Sequence, residues 1–178
     1  MKKALLLLAE GFEEVEALTT VDYLRRMDIV VDTCSIKGGK SVKGAHRVVV
    51  ESDKVLDEIN NIKSYNCLII PGGLPGATNL RDNDRVIELV KEFNEAGKLL
   101  AAICAGPIVL ERAGLIKGIE VTSYPGFEND LKEGIYKEDL VVQDGNVITA
   151  RGPAVAVYFA LKIVENLVGE EKAKELRK

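Results

Sequence analysis

Short apolar runs alternate with longer amphipathic stretches along this chain. Residues Ala4-Leu5-Leu6-Leu7-Leu8 are uninterruptedly apolar, the pattern of a parallel strand covered on both faces. Gly11 ends it. Val15, Leu18, Val21, Leu24 and Met27 then recur at every third position, which drifts around a helix and predicts a broad apolar face able to meet both a sheet and a partner. A second strand is expected over 29–35, a turn at Gly38-Gly39, and an excursion strand at Val48-Val49-Val50. Leu68-Ile69-Ile70 reads as another buried strand, closed by Pro71-Gly72-Gly73, and a helix from about 84 to 96 leads to the apolar run 99–103. Later strands are predicted near Thr122, at 140–142 and at 147–149, the last two joined by a hairpin turn at Asp144-Gly145-Asn146. Residues 154–168 are apolar nearly all round, a packed helix stopped by Gly169, and the charged tail 170–178 is expected to fray. This alternation predicts a doubly wound α/β sheet with helices on both faces.

Composition narrows the class. With 178 residues, 47% of them hydrophobic, the chain can bury a full core as a single domain over 1–178. A net charge of −4 and no long basic run argue against a nucleic-acid partner. Cys34, Cys67 and Cys104 form neither a disulfide framework nor a metal-spaced set, so a reducing compartment is expected. The apolar run after Met1-Lys2-Lys3 stops at Glu10, too short for a signal peptide or a membrane span. The expected location is the cytoplasm, with no membrane partner.

The segment 99–110 concentrates the candidate chemistry. Gly106 and Pro107 can neither extend the 99–103 strand nor sit inside a helix, whereas Pro107 fits a helix's first turn. Cys104 therefore falls on a sharp bend between a strand and a helix N-terminus, an arrangement resembling a nucleophile elbow. The positive end of a helix favours a thiolate there; an unperturbed thiol is only about 3% ionised at pH 7. The alternative is a buried cysteine serving as a small apolar residue, the role expected of Cys34 and Cys67.

In open α/β sheets, ligands collect beyond the carboxyl ends of the strands. The loops 11–16, 71–76 and 104–106 lie there. Their glycines let backbone N–H groups approach a ligand, so the N–H groups of Gly73 and Ala105 are candidates for an oxyanion hole; a simple tight loop is the alternative. Glu13, Glu14 and Glu16 have a plain reading as first-turn acids complementing a helix dipole. His46, the single histidine, reads as a solvated turn residue. A Cys-His hydrolase needs a base within ~3 Å of sulfur, and no histidine follows Cys104. No metal site can be assembled from spacing.

Four segments taken together, Ala-Glu-Gly-Phe-Glu-Glu-Val-Glu at 9–16, Pro-Gly-Gly-Leu-Pro-Gly-Ala-Thr-Asn-Leu at 71–80, Ala-Ala-Ile-Cys-Ala-Gly-Pro at 101–107 and Arg-Gly-Pro at 151–153, resemble the ThiJ/PfpI superfamily, and within it the parkinsonism-associated deglycase clade. The resemblance runs over almost the whole chain. It implies a flavodoxin-like fold, a homodimer, no cofactor, Cys104 as the reactive thiol, Glu16 as its carboxyl partner, and Gly73 and Ala105 as backbone donors. Gly72, Asn79, Arg151 and Pro153 from the same motifs are pocket candidates, with Tyr124 and His46. Where many members carry Thr-His-Pro this chain has Ser123-Tyr124-Pro125, and where the protease branch places histidine after its cysteine it has Ala105. Peptidase and amidotransferase chemistry thereby become minor alternatives.

Elementary electrostatics constrains the pair. An ionised Glu16 would raise the thiol pKa, so the carboxyl must carry a proton whenever the sulfur is a thiolate, which an apolar pocket permits. Such a pair suits addition of sulfur to a carbonyl. The expectation is a cofactor-free glyoxalase or deglycase acting on methylglyoxal, glyoxal or their adducts, with a role in oxidative or carbonyl stress. The alternative is a redox sensor or chaperone-like dimer using oxidation of Cys104.

Overall fold

A computed structural model of the chain describes residues 1–177. Its centre is a seven-stranded sheet built from β1 (Lys3–Leu8), β2 (Val30–Ser35), β5 (Lys54–Val55), β6 (Cys67–Ile70), β7 (Leu99–Ile103), β10 (Val141–Asp144) and β11 (Val147–Ala150). Two ribbons lie outside it: β3 (Ser41–Lys43) pairs with β4 (Val49–Glu51), and β8 (Glu120–Val121) with β9 (Ile135–Tyr136). The sheet order is β10-β11-β7-β6-β1-β2-β5, parallel throughout except for the β10–β11 hairpin. Gly145 supplies the left-handed backbone that the hairpin turn demands.

Strand periodicity divides the core in two. In β1, Leu5 and Leu7 point to one face, and Ala4, Leu6 and Leu8 to the other. The first face is covered by α2 (Gly76–Arg81), α3 (Asp84–Glu95) and α4 (Pro107–Arg112), through Leu80, Val86, Leu89, Val90, Phe93, Val109 and Leu110. The second is covered by α1 (Glu14–Arg26), α5 (Ala156–Val168) and α6 (Glu170–Leu176), through Ala17, Leu24, Phe159, Ile163, Val164 and Ala173. Helices on both faces force every central strand to be apolar on both sides, the origin of the uninterrupted run at 4–8. No helix among the described residues is long and apolar enough to cross a membrane.

The tail is the main departure from expectation. Residues 170–176 form α6 instead of fraying, because Ala173 buries itself in the α1/α5 core. Lysines pair with acids along its exposed side. Lys178, part of the predicted tail, lies outside the described residues. The helix α2 was also not legible in the pattern.

Candidate active site

Three loops at the carboxyl ends of β1, β6 and β7 are held together by backbone contacts too close for side chains. The N–H of Glu13 donates to the carbonyl of Gly72 at 2.9 Å. A Cβ on Gly73, whose φ is +86°, would stand 2.4 Å from the Glu13 nitrogen, and one on Gly72 would stand 2.6 Å from the Cys104 Cβ. Glycine is the residue that lets the β1 and β6 loops and the cysteine elbow share this space.

Cys104 itself has φ +63°, a left-handed conformation that costs a non-glycine residue about 1–3 kcal/mol and clusters at functional sites. The neighbouring chain holds it there. Its N–H donates to the Ala150 carbonyl at 2.9 Å, and its own carbonyl accepts from the Tyr124 N–H at 3.0 Å. Gly106 completes the bend, since a Cβ there would lie 2.6 Å from the Ile70 carbonyl oxygen. The elbow read from Gly106-Pro107 is thus present, with Pro107 opening α4.

Glu16 reaches the same point from the first turn of α1. It is fully buried, and Oε2 accepts from the Gly72 N–H at 2.7 Å. Oε1 has no hydrogen-bond partner among the described residues, and the carboxyl lies beside Cys104, since a Cβ on Gly72 would stand 2.8 Å from Glu16 Oε2 and 2.6 Å from the Cys104 Cβ. Burial raises the Glu16 pKa to about 7, against the lowering effect of the Gly72 N–H and the thiol. A first-turn acid that merely complements a dipole would be exposed, so the plain reading of Glu16 does not hold.

The thiol shifts opposite to the elbow expectation. Burial, then the charge of Glu16 and the hydrogen bond to it, push Cys104 up to about 12, while the N–H groups of Ala105 and Gly73 pull the other way. The helix beyond the elbow spans only Pro107–Arg112, and its dipole does not outweigh a carboxylate in contact with sulfur. The pair titrates as a unit. The carboxyl ionises before the thiol, and backbone N–H groups act on both, that of Gly72 on the carboxyl and those of Ala105 and Gly73 on the sulfur.

The other candidates divide. Gly72, Gly73 and Ala105 are at the centre. Tyr124 is bound to the elbow by its backbone and lays its ring against Gly152, 2.9 Å from where a Cβ would stand. Arg151 and Pro153 line a neighbouring cleft with Tyr124. The guanidinium of Arg151 donates to the Glu138 carbonyl at 2.9 Å. Asn79 belongs to α2 and ties its side-chain amide to the Glu10 carbonyl at 3.0 Å, a loop-fastening role.

His46 is exposed, as a turn histidine should be, yet it is not idle. Its Nδ1 lies 2.9 Å from Glu14 Oε2 and 3.4 Å from Glu13 Oε2. The hydrogen bond to Glu14, then the charges of Glu13 and Glu14, raise its pKa. Glu14 Oε1 accepts from the backbone N–H groups of His46 at 2.7 Å and Val48 at 3.3 Å. Burial opposes ionisation of Glu14, but these hydrogen bonds prevail and lower its pKa. Glu13 caps α1 by accepting from the Val15 N–H. Where spacing assembled no metal-ligating set, the fold brings Glu13, Glu14 and His46 within 4.8 Å of one another. Internal hydrogen bonds account for the grouping as a latch between α1 and the β3–β4 ribbon. Cys34 and Cys67 are fully buried, as expected of filler.

Known proteins place this geometry. Residues 2–166 match the DJ-1/PfpI family. The chain is 39% identical over 179 residues to the Parkinson disease protein 7 homolog of Danio rerio, covering 99% of this chain and 95% of that protein. It is 41% identical over 182 residues to a Caenorhabditis elegans protein named glutathione-independent glyoxalase DJR-1.2, with coverage of 99% and 95%. The crystal structure of Drosophila melanogaster DJ-1beta superimposes with a TM-score of 0.94 at 40% identity, covering 98% of this chain and 95% of that one. With the sheet order, the strained cysteine and the buried carboxyl on the same frame, the chain belongs to the DJ-1/PfpI family.

Proposed function

We propose that the protein is a cofactor-free glyoxalase-type enzyme that converts methylglyoxal or glyoxal, free or as adducts, into the hydroxy acid. The single observation that carries this reading is the fully buried Glu16 carboxyl beside Cys104: a Cβ on Gly72 would stand 2.8 Å from Glu16 Oε2 and 2.6 Å from the Cys104 Cβ, and burial raises that carboxyl to about 7. A group with a pKa near the working pH is suited both to take and to give a proton. A name that includes glyoxalase, borne by a relative covering nearly the whole chain, supports the same chemistry.

The steps use only the chain's own groups. Glu16 removes the thiol proton as sulfur attacks the aldehyde carbon, and the oxygen is protonated to give a hemithioacetal. The N–H groups of Gly73 and Ala105 face the reacting centre and offset the developing charge. Glu16 then takes the proton from the carbon bearing sulfur and returns it to the neighbouring carbon, while the hydroxyl proton passes to that carbon's oxygen through the enediol, leaving a thioester of the 2-hydroxy acid. Water cleaves the thioester to release the hydroxy acid and restore the thiol.

The sensor alternative starts from the same pair and differs in fate: the thiol is oxidised, and dicarbonyl gives only a stoichiometric adduct. The test is lactate formation from methylglyoxal with a chelator present. Wild type should release many equivalents per Cys104 and Cys104→Ser none. Release of no more than one equivalent by wild type would leave the sensor reading in place.

A further inference from the structure

Two bonds of different origin hold Cys104 at φ +63°. Its N–H donates to the Ala150 carbonyl at 2.9 Å, and Ala150 stands in β11, in register with Ile103 of β7. Its carbonyl accepts from the Tyr124 N–H at 3.0 Å, and Tyr124 lies outside the central sheet, beyond the end of the two-residue strand β8. A strained backbone persists only where its surroundings over-determine it, so the second bond depends on how firmly residues 122–124 are placed. That placement is set from β11. Thr149 Oγ1 accepts from the Thr122 N–H at 2.9 Å, and both residues are fully buried. Thr149 is in register with Ala102, one position before the Ala150 that binds the cysteine N–H. One strand thereby reaches both sides of the elbow, directly through Ala150 and indirectly through Thr149, Thr122 and Tyr124. The polar groups point the same way. β11 is buried at every position, where a hydroxyl is unfavourable unless it is hydrogen-bonded. The neighbouring Ser123 hydroxyl turns instead to the Tyr124 carbonyl and the Tyr136 hydroxyl, leaving Thr149, among the described residues, as the side chain that ties this segment to the sheet.

We propose that Thr149 is a positioning residue for Cys104: its hydroxyl fixes residues 122–124 so that the Tyr124 N–H holds the cysteine in the left-handed conformation that keeps sulfur beside the Glu16 carboxyl. The consequence for turnover rests on the dicarbonyl reading above, and the consequence for the thiol does not. Without the Thr149 bond the elbow relaxes toward ordinary backbone angles and sulfur moves away from Glu16. A displacement of about 1 Å at a reacting atom can cost ~100-fold in rate. A thiol freed from an adjacent carboxylate becomes more acidic.

The test compares wild type, Thr149→Val and Thr149→Ser by the pH profile of iodoacetamide alkylation, read at the Cys104 peptide, and by kcat and KM for methylglyoxal. Thr149→Val keeps the shape and loses the acceptor, whereas Thr149→Ser keeps the hydroxyl. Thr149→Val should move the alkylation profile to lower pH by about one unit and lower kcat at least about tenfold with KM little changed. Thr149→Ser should behave as wild type in both. A purely structural role would lower the melting temperature of Thr149→Val and leave its alkylation profile at the wild-type position, and that result overturns the proposal. A Thr149→Ser profile displaced like that of Thr149→Val does so too. If wild type does not turn over methylglyoxal, the dicarbonyl reading fails and the alkylation profile alone decides for Thr149. Should Thr149→Val fail to fold, hydrogen exchange in wild type decides instead: the Thr122 and Tyr124 amides should be protected to the same degree, and fast exchange at Thr122 beside a protected Tyr124 overturns the proposal.

Discussion

At the scale of single residues, Glu16 decides the behaviour of the site. Its carboxyl is buried with a pKa raised from an ordinary 4.5 to about 7, so the folded protein holds a proton there that the unfolded chain releases. Below pH 4.5 both states are protonated and the contribution is complete; as pH rises from 4.5 to about 7 it is lost, because ionisation favours the unfolded chain. Glu16→Gln removes the titrating group. Its stability should therefore stay flat across that window, while the wild type falls by on the order of 3 kcal/mol, as read by urea unfolding at a series of pH values. The importance of Cys104 was legible because Gly106-Pro107 forces a bend after an apolar strand. The direction of its pKa was not, since that depends on a carboxylate 88 positions away in the chain. Repulsion keeps the two groups from being charged together, and with the thiol pushed up to about 12 the carboxyl at about 7 is the one that ionises first.

At the scale of elements, the β3–β4 ribbon is fastened to α1 chiefly through one side chain. Glu14 accepts from the His46 and Val48 N–H groups and meets the His46 ring, and Gly44 leaves room for it, since a Cβ there would lie 2.3 Å from Glu14 Oε1. Glu14→Ala should cost about 1–3 kcal/mol, the usual penalty for leaving buried hydrogen-bonding groups unmatched. Hydrogen exchange should show the loss concentrated at the amides of His46 and Val48. The first-turn pattern of acids concealed this role, because Glu13, Glu14 and Glu16 look alike in the sequence and differ only in which way α1 turns them. The central strands and the long helices are legible from the pattern, whereas the short β3, β5 and β9 carry too few apolar positions to show one. The helix α2 is not legible either, since its six residues follow Pro71-Gly72-Gly73-Leu74-Pro75 and carry no amphipathic repeat of their own.

At the scale of the whole molecule, an apolar surface remains on α1 and the ribbon. The three-residue repeat predicted a face touching both sheet and partner, and it divides accordingly: Val21 and Leu24 are buried, while Val15 is 51% and Leu18 38% exposed. Val48 and Val49 on the ribbon are exposed as well. Such a patch suits a homodimer, the assembly the family resemblance implies. Light scattering at micromolar concentration should give twice the chain mass for wild type and a shift toward the single-chain mass for Leu18→Glu. A wild-type monomer would reject the assembly. The doubly wound class followed from alternation of apolar runs with amphipathic stretches, but α6 did not, because a seven-residue charged helix is stabilised by docking Ala173 and not by its own pattern.

Cys104 and Glu16 are coupled: beyond the effect of burial, the Glu16 carboxylate holds the Cys104 thiol in its protonated form. Titration of thiolate absorbance in Glu16→Gln measures this most directly. With the carboxylate charge gone and the N–H groups of Ala105 and Gly73 retained, the Cys104 thiol should become more acidic than in wild type by at least about one unit, even though loss of the proton carrier lowers turnover by ~100-fold or more. A thiol pKa in Glu16→Gln equal to or above that of wild type would contradict the account.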